Sequence, residues 1–501
     1  MLATNLTNLL SPESANFLKK NHKLLIGGAW EDAVSGQTIA VVDPATGDTV
    51  SHIPSADVAD VDRAVAAAKR ASEEGEWSRM TGPERANLIW ALAERLDELT
   101  DHFAELESLD TGRALYECKL VDVPGSSAML RYMAGYATKI NGETMEVSLP
   151  GPADYHAYTM REPLGVVAII LPWNYPLELA VWRMAPALAA GCTVILKPAE
   201  QTSLSTLRLG ELFEEIGFPP GVVNVVTGYG ETVGAALAEH PDVEGISFTG
   251  STETGKNIVR AATSNLKRVF LELGGKSPML VFDDADLDVT IPGVARAIFF
   301  SAGQVCTAGS RVFVHERIFD KVIEGVSEFG RSLKLGHGLH PETQLGPLVS
   351  QEQHDRVSRY LEEGRRDGAA VISGGGAPGS QGYFIEPTVL TDVKPHMSVY
   401  QEEIFGPVLC AMRFGDDDVD QVVRAANDTI YGLHASIWTQ NLRTAHMVAR
   451  GIKAGNVCIN AHNFFDPALP MGGYKQSGWG RASGKEAIEH YTEVKAVAAK
   501  L

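Results

Sequence analysis

Val166-Val167-Ala168-Ile169-Ile170-Leu171-Pro172, running straight into Trp173-Asn174-Tyr175-Pro176, is the stretch from which the fold is read. The first part is apolar and β-branched without alternation, as in a strand buried on both faces. A helical pattern over Leu177–Ala190 follows it. The same unit then recurs: Thr193–Leu196, Val222–Thr227, Ile246–Thr249, Val269–Leu273 and Met279–Phe282 are apolar runs, and Leu204–Ile216 is a second intervening helix. Apolar strands separated by helices give an α/β protein with a parallel sheet covered on both faces.

Upstream, Asp57 to Gly142 has a helical rhythm. Thr81-Gly82-Pro83-Glu84 is a capping box with proline in the first turn, and Leu88, Ile89, Leu92, Leu96 and Leu99 mark one apolar face behind it. The chain breaks at Leu149-Pro150-Gly151-Pro152. Downstream, Asp286–Ser301, Ile318–Leu333, Gln351–Arg366 and Val419–Asn427 are helix-like, and Val312–His315, Val408–Phe414 and Ala435–Trp438 are strand-like. Gly374–Gly379 is a surface turn, because no helix start follows it.

The 501 residues suit about three domains of ~150 residues. A net charge of −20 argues against nucleic acid or an anionic membrane as partner. Met1–Lys20 lacks the pattern of a signal peptide and no long apolar run spans a membrane, so the expected location is the cytoplasm. Five cysteines without a CxxC spacing predict no metal site.

Cys306 lies among small residues in Ser301-Ala302-Gly303-Gln304-Val305-Cys306-Thr307-Ala308-Gly309. A free cysteine is more often a small buried hydrophobe than a catalyst. A reachable thiolate is nevertheless a strong nucleophile. Glu272, opening Glu272-Leu273-Gly274-Gly275-Lys276, is a carboxylate beside glycines that let a ligand approach. Together they could form a thioester and then activate the water that hydrolyses it.

Two glycine-rich turns follow strands. Gly228-Tyr229-Gly230-Glu231-Thr232-Val233-Gly234 is one residue longer than the dinucleotide fingerprint, and Phe248-Thr249-Gly250-Ser251 ends a strand where Ser251 can cap a helix suited to pyrophosphate. Both could equally be ordinary strand-to-helix turns. Lys197-Pro198-Ala199-Glu200 sits at a strand end, where Lys197 and Glu200 can bind ribose hydroxyls. The carboxylate would repel a 2′-phosphate, favouring NAD over NADP. Asn174, stiffened by two prolines, can donate to a developing oxyanion or cap the next helix.

These motifs, with Gly303-Gln304-Val305-Cys306 and Glu402-Glu403-Ile404-Phe405-Gly406-Pro407, resemble those of the aldehyde dehydrogenase superfamily, from Ile26-Gly27-Gly28 to Tyr491–Lys495. The resemblance implies Cys306 as nucleophile, Glu272 as general base, and Asn174 with the Cys306 N–H as oxyanion hole. It implies cofactor contacts at Leu171, Pro172, Trp173, Lys197, Glu200, Gly230, Gly234, Phe248, Thr249, Gly250, Ser251, Leu273, Glu403 and Phe405. It also implies a Rossmann-like NAD-binding domain (1–139 and 160–272), an α/β catalytic domain (273–477) and a small β oligomerisation element (140–159 and 478–501) of a homodimer or homotetramer. Tyr155, Ala157 and Tyr158 alternate as an edge strand would.

The family's tunnel positions fall on Tyr175, Leu179, Trp182, Val305, Thr307, Phe465 and Met471, almost all apolar or aromatic and none Arg or Lys. This favours an apolar or aryl aldehyde, and the segments 131–140 and 465–470 are similar to bacterial phenylacetaldehyde dehydrogenases. Other medium-chain or betaine aldehydes, a CoA-acylating reaction and a non-catalytic protein of the same fold are the alternatives.

Overall fold

The computed structural model describes residues 9–148, 154–379, 381–415 and 419–501. The break at Leu149–Pro152 lies outside the described residues. Two large sheets, a three-stranded one and a two-stranded one (Thr38–Val42 with Thr49–Pro54) organise the described residues. The first has eight strands. Its five central strands, Arg268–Glu272, Gly245–Thr249, Val166–Ile170, Thr193–Lys197 and Val223–Val225, are parallel and adjacent in that order. Val166–Ile170, Thr193–Lys197 and Gly245–Thr249 are buried at every position, which explains their unbroken apolar character. Antiparallel strands finish both edges: Leu24–Ile26 and Ala29–Glu31 on one side, Gly478–Trp479 on the other.

The second sheet has seven strands and is parallel except for Ala370–Ser373 at one edge. Met279–Phe282, read above in series with the first sheet, is the strand Pro278–Val281 near the middle of the second. Helix Gly82–Glu98 begins with the expected capping box: the Thr81 N–H and hydroxyl donate to Glu84 at 2.7 Å.

The third sheet corrects one expectation. Tyr155–Pro163 is not an edge strand. It is the middle strand, paired along its whole length with Thr492–Lys500 and on its other side with Thr144–Met145. Alternation reports that a strand is half-buried, not which neighbour covers its edge. Among the described residues, the long open edge belongs to Thr492–Lys500, exposed at most positions after Thr492.

Register aligns the site. In the first sheet Ile170 lies beside Lys197 and Phe248, and Thr249 beside Glu272. The loops carrying Asn174, Lys197, Ser251 and Glu272 therefore leave one end of that sheet, the end where α/β proteins bind ligands. The loops carrying Cys306 and Glu403 enter the strands Arg311–His315 and Val408–Phe414 of the second sheet.

Candidate active site

Cys306 sits on a strained turn. Ser301, Ala302 and Gly303 are successively left-handed, with φ of 50, 52 and 70°. Two of them carry a Cβ, at a cost of about 1–2 kcal/mol each. Surrounding side chains hold this shape. The Ser301 N–H and hydroxyl both donate to the Glu117 carboxylate at 3.2 Å, and the Tyr175 and Ser301 hydroxyls bond at 2.9 Å. Gln304 accepts from the Val349 N–H at 3.0 Å. At Gly303 a Cβ would lie 2.1 Å from the Gly406 carbonyl oxygen, so glycine is required where the two loops touch.

Asn174 does not cap the helix Pro176–Ala190. Its amide Nδ2 donates to the Gln304 carbonyl at 2.9 Å. One N–H is thereby used to fix the amide to the loop that carries Cys306, and the second has no acceptor among the described residues. The Cys306 N–H donates to no protein acceptor among the described residues.

Glu272 is 5% exposed, and neither carboxyl oxygen has a hydrogen-bond partner among the described residues. Burial pushes its pKa up to about 8, opposed by Arg183 and Arg481. Gly275 brings this loop against Cys306, because a Cβ there would stand 2.4 Å from the Cys306 carbonyl oxygen. Burial also pushes the Cys306 thiol up to about 12, helped by the charges of Glu403 and Glu272. The resting pair is thus a protonated thiol and a mostly protonated carboxyl.

The predicted cofactor positions share one side of this centre. Lys197 is 2% exposed; its ammonium donates to the Pro198 carbonyl at 2.9 Å and pairs with Glu200 at 3.5 Å, leaving donor capacity unused. Ser251 caps the helix Thr252–Ala262, accepting from the Thr254 N–H at 3.1 Å. Phe248 packs beneath Gly250, and Leu273 packs against Gly255 in the first turn of that helix. Thr249 accepts from Arg183 at 3.0 Å. The glycine-rich turn forms a π-helical segment over Gly230–Gly234. Gly234 approaches Lys197, whereas Gly230 opens outward with nothing within 4 Å. Leu171 is buried and Pro172 half-buried at the end of the central strand. Trp173 meets Phe405 edge-to-face at 5.2 Å. Glu403 accepts from the Gly275 N–H at 2.9 Å.

On the other side a cavity of about 470 Å³ leads to Cys306. All seven predicted tunnel residues line it: Tyr175, Leu179, Trp182, Val305, Thr307, Phe465 and Met471, together with Asn174 and Cys306. The structure adds Phe300 and Trp438 to the aromatic wall, and it adds two charged residues that were not foreseen, Glu178 and Arg296. Helical spacing from Tyr175 put Glu178 within reach of the tunnel face, so a signal existed. No such signal marked Glu117, Gln353 or Arg356. Gln353 donates to the Phe405 carbonyl at 2.8 Å and Arg356 to that of Glu403 at 2.8 Å, fixing the Glu403–Phe405 loop from a helix some fifty residues away in sequence.

The aldehyde dehydrogenase family model matches residues 30–497. The phenylacetaldehyde dehydrogenase of Pseudomonas fluorescens is 47% identical over 500 residues, covering 99% of both chains. The mitochondrial benzaldehyde dehydrogenase of Antirrhinum majus is 44% identical, covering 96% of this chain and 89% of the relative. Among solved structures, the NAD+ complex of an aldehyde dehydrogenase from Bacillus cereus superposes with a TM-score of 0.96 at 45% identity, covering 98% of this chain and 99% of that one. A strained turn bearing a cysteine, an unpartnered buried carboxyl and an aromatic tunnel, set between two doubly wound sheets in a chain this similar to its relatives, identify a member of the aldehyde dehydrogenase family.

Proposed function

We propose that this chain oxidises apolar or aromatic aldehydes of the phenylacetaldehyde type to carboxylic acids, using NAD in preference to NADP. The observation that carries the reading is Cys306 at the inner end of an aromatic tunnel, with the unpartnered carboxyl of Glu272 acting on it from the neighbouring loop. The residues around Lys197 fit the cofactor. The unspent donors of buried Lys197 suit a ribose hydroxyl, as do the carboxylates of Glu200 and Glu403, and the start of the helix Thr252–Ala262 suits a pyrophosphate. When bound, NAD supplies the hydride acceptor. The family match and the relatives named above support this assignment.

Cys306 gives its proton to solvent water, and its sulfur adds to the carbonyl carbon. The free N–H of Asn174 and the Cys306 N–H then receive the alkoxide; one such donor is worth about 10²–10³ in rate. Loss of hydride leaves a thioester on Cys306. Glu272 in its ionised form takes a proton from a water whose oxygen attacks that thioester, and the acid leaves as the thiolate returns. A positioned base of this kind contributes about 10²–10⁴. A carboxyl free of partners favours water over CoA as acyl acceptor. The uncovered edge of Thr492–Lys500 favours a homo-oligomer, because an open edge strand is usually covered.

NADH formation with phenylacetaldehyde, hexanal, betaine aldehyde and succinic semialdehyde tests the assignment. The expected order has phenylacetaldehyde first in kcat/KM. A preference for betaine aldehyde or succinic semialdehyde would overturn it.

A further inference from the structure

The tunnel wall is mostly aromatic and aliphatic, with a few polar groups set into it. Glu178 lies in the first turn of the helix Pro176–Ala190, on the face that also presents Tyr175, Leu179 and Trp182 to the cavity. Other polar groups of this wall have partners. Asn174 donates to Gln304, Thr307 to Asn463 at 2.7 Å, and His462 bridges Ser436 and the Thr307 carbonyl at 2.9 Å each. Glu178 lines the tunnel, is only half-buried, and has no hydrogen-bond partner among the described residues. The Trp182 N–H, one turn further along the same face, also lacks an acceptor.

The position is built rather than accidental. Gly125 makes room for the carboxyl, since a Cβ there would stand 2.7 Å from Glu178 Oε1. The nearby cation Arg113 is already engaged by Asp122 and Glu107. Arg296, the other charged lining residue, is exposed and stacks over Phe329 at 5.9 Å. Burial, and after it the charges of Asp122 and Glu107, raise the Glu178 carboxyl well above the usual carboxylate range, with Arg113 opposing. A neutral carboxyl both donates and accepts, and among aromatic walls it is unsatisfied until a ligand supplies a matching group.

We infer that Glu178 is a specificity-determining residue that selects aldehydes carrying a hydroxyl on the part of the molecule remote from the carbonyl. This rests on the aryl-aldehyde reading above and narrows it to hydroxylated aryl aldehydes. An ammonium group fits less well, because it would have to shed its water among aromatic walls and draw the proton from Glu178. A carboxylate would have to shed its water among aromatic walls, with Arg113 already engaged by Asp122 and Glu107.

The test compares kcat/KM for phenylacetaldehyde with that for 3- and 4-hydroxyphenylacetaldehyde, in wild type, Glu178→Leu and Glu178→Gln. The expected wild-type preference for the better hydroxylated isomer is about tenfold, the scale of one neutral hydrogen bond. Glu178→Leu should abolish it, and Glu178→Gln, which still donates and accepts, should retain most of it. Burst amplitude of NADH normalises each variant to its competent sites. Equal wild-type rates for all three substrates overturn the inference even if Glu178→Leu does not fold, as does a preference that survives in Glu178→Leu. A larger Glu178-dependent preference for 3-aminopropanal over hexanal overturns it in favour of a cation site. Hexanal exceeding phenylacetaldehyde while the hydroxyl preference persists would instead refute the aryl-aldehyde assignment and leave the role of Glu178 standing.

Discussion

Glu272→Gln separates the base from its surroundings through stability as well as rate. The carboxyl is held at about 8 instead of the ordinary 4.5. The unfolded chain therefore releases this proton first, and the folded state loses stability as pH rises from about 4.5 to about 8, beyond which the loss is constant. Fully developed, it amounts to about 5 kcal/mol, of which about 4 kcal/mol appears between pH 5 and pH 9. Glutamine has nearly the same shape and no proton to lose. For a chain of this length about 1 kcal/mol moves Tm by about 1 °C. Thermal unfolding of the cofactor-free proteins should thus show the variant gaining on wild type by about 4 °C between pH 5 and pH 9. In the same pair, hydrolysis of the acyl-enzyme should rise about tenfold from pH 7 to pH 9 in wild type, following ionisation of Glu272, and stay low and flat in the variant. The variant should still release one equivalent of NADH per site. A Tm gap that does not change with pH, or that narrows as pH rises, would refute the claim that folding keeps this carboxyl protonated. Normal turnover in the variant would refute its role as base.

Two further substitutions test the nucleophile turn. Asn174→Ala removes an oxyanion donor and the link to the Gln304 carbonyl, so kcat should fall by about 10²–10³ with cofactor affinity retained, read by steady-state kinetics and NAD titration. Glu117→Ala leaves the Ser301 N–H and hydroxyl without their acceptor. The rate of Cys306 alkylation by iodoacetamide and kcat/KM should fall together by about tenfold or more, and Glu117→Gln, which keeps an acceptor, should recover most of both. Equal alkylation rates in all three proteins would show that the turn holds itself.

Much of the fold was legible locally. The run from Val166 and its repeats are apolar because strands covered on both faces have no wet side. The Thr81–Glu84 box acts within a single turn. The strands Leu24–Ile26, Ala29–Glu31, Thr38–Val42 and Thr49–Pro54 were not read, since they span three to six residues each and carry too little periodicity to stand out. The alternation of Tyr155, Ala157 and Tyr158 does not tell an edge strand from a middle one, because it is the same with one neighbour or two.

The motif residues themselves were readable from the chain alone: a thiol among small residues, a carboxylate and a lysine at strand ends, an amide between prolines. Each depends on neighbours a few positions away, so the order of residues suffices. Tertiary structure alone decided what holds those groups and what faces them. Glu117 supports a turn 184 residues downstream in the sequence, Gln353 anchors the Phe405 carbonyl, and Glu178 lines a tunnel to which Trp438 and Phe465 also contribute. Hydrogen bonds and burial act over a few ångströms of space, and sequence distance carries no record of which side chains packing will bring that close.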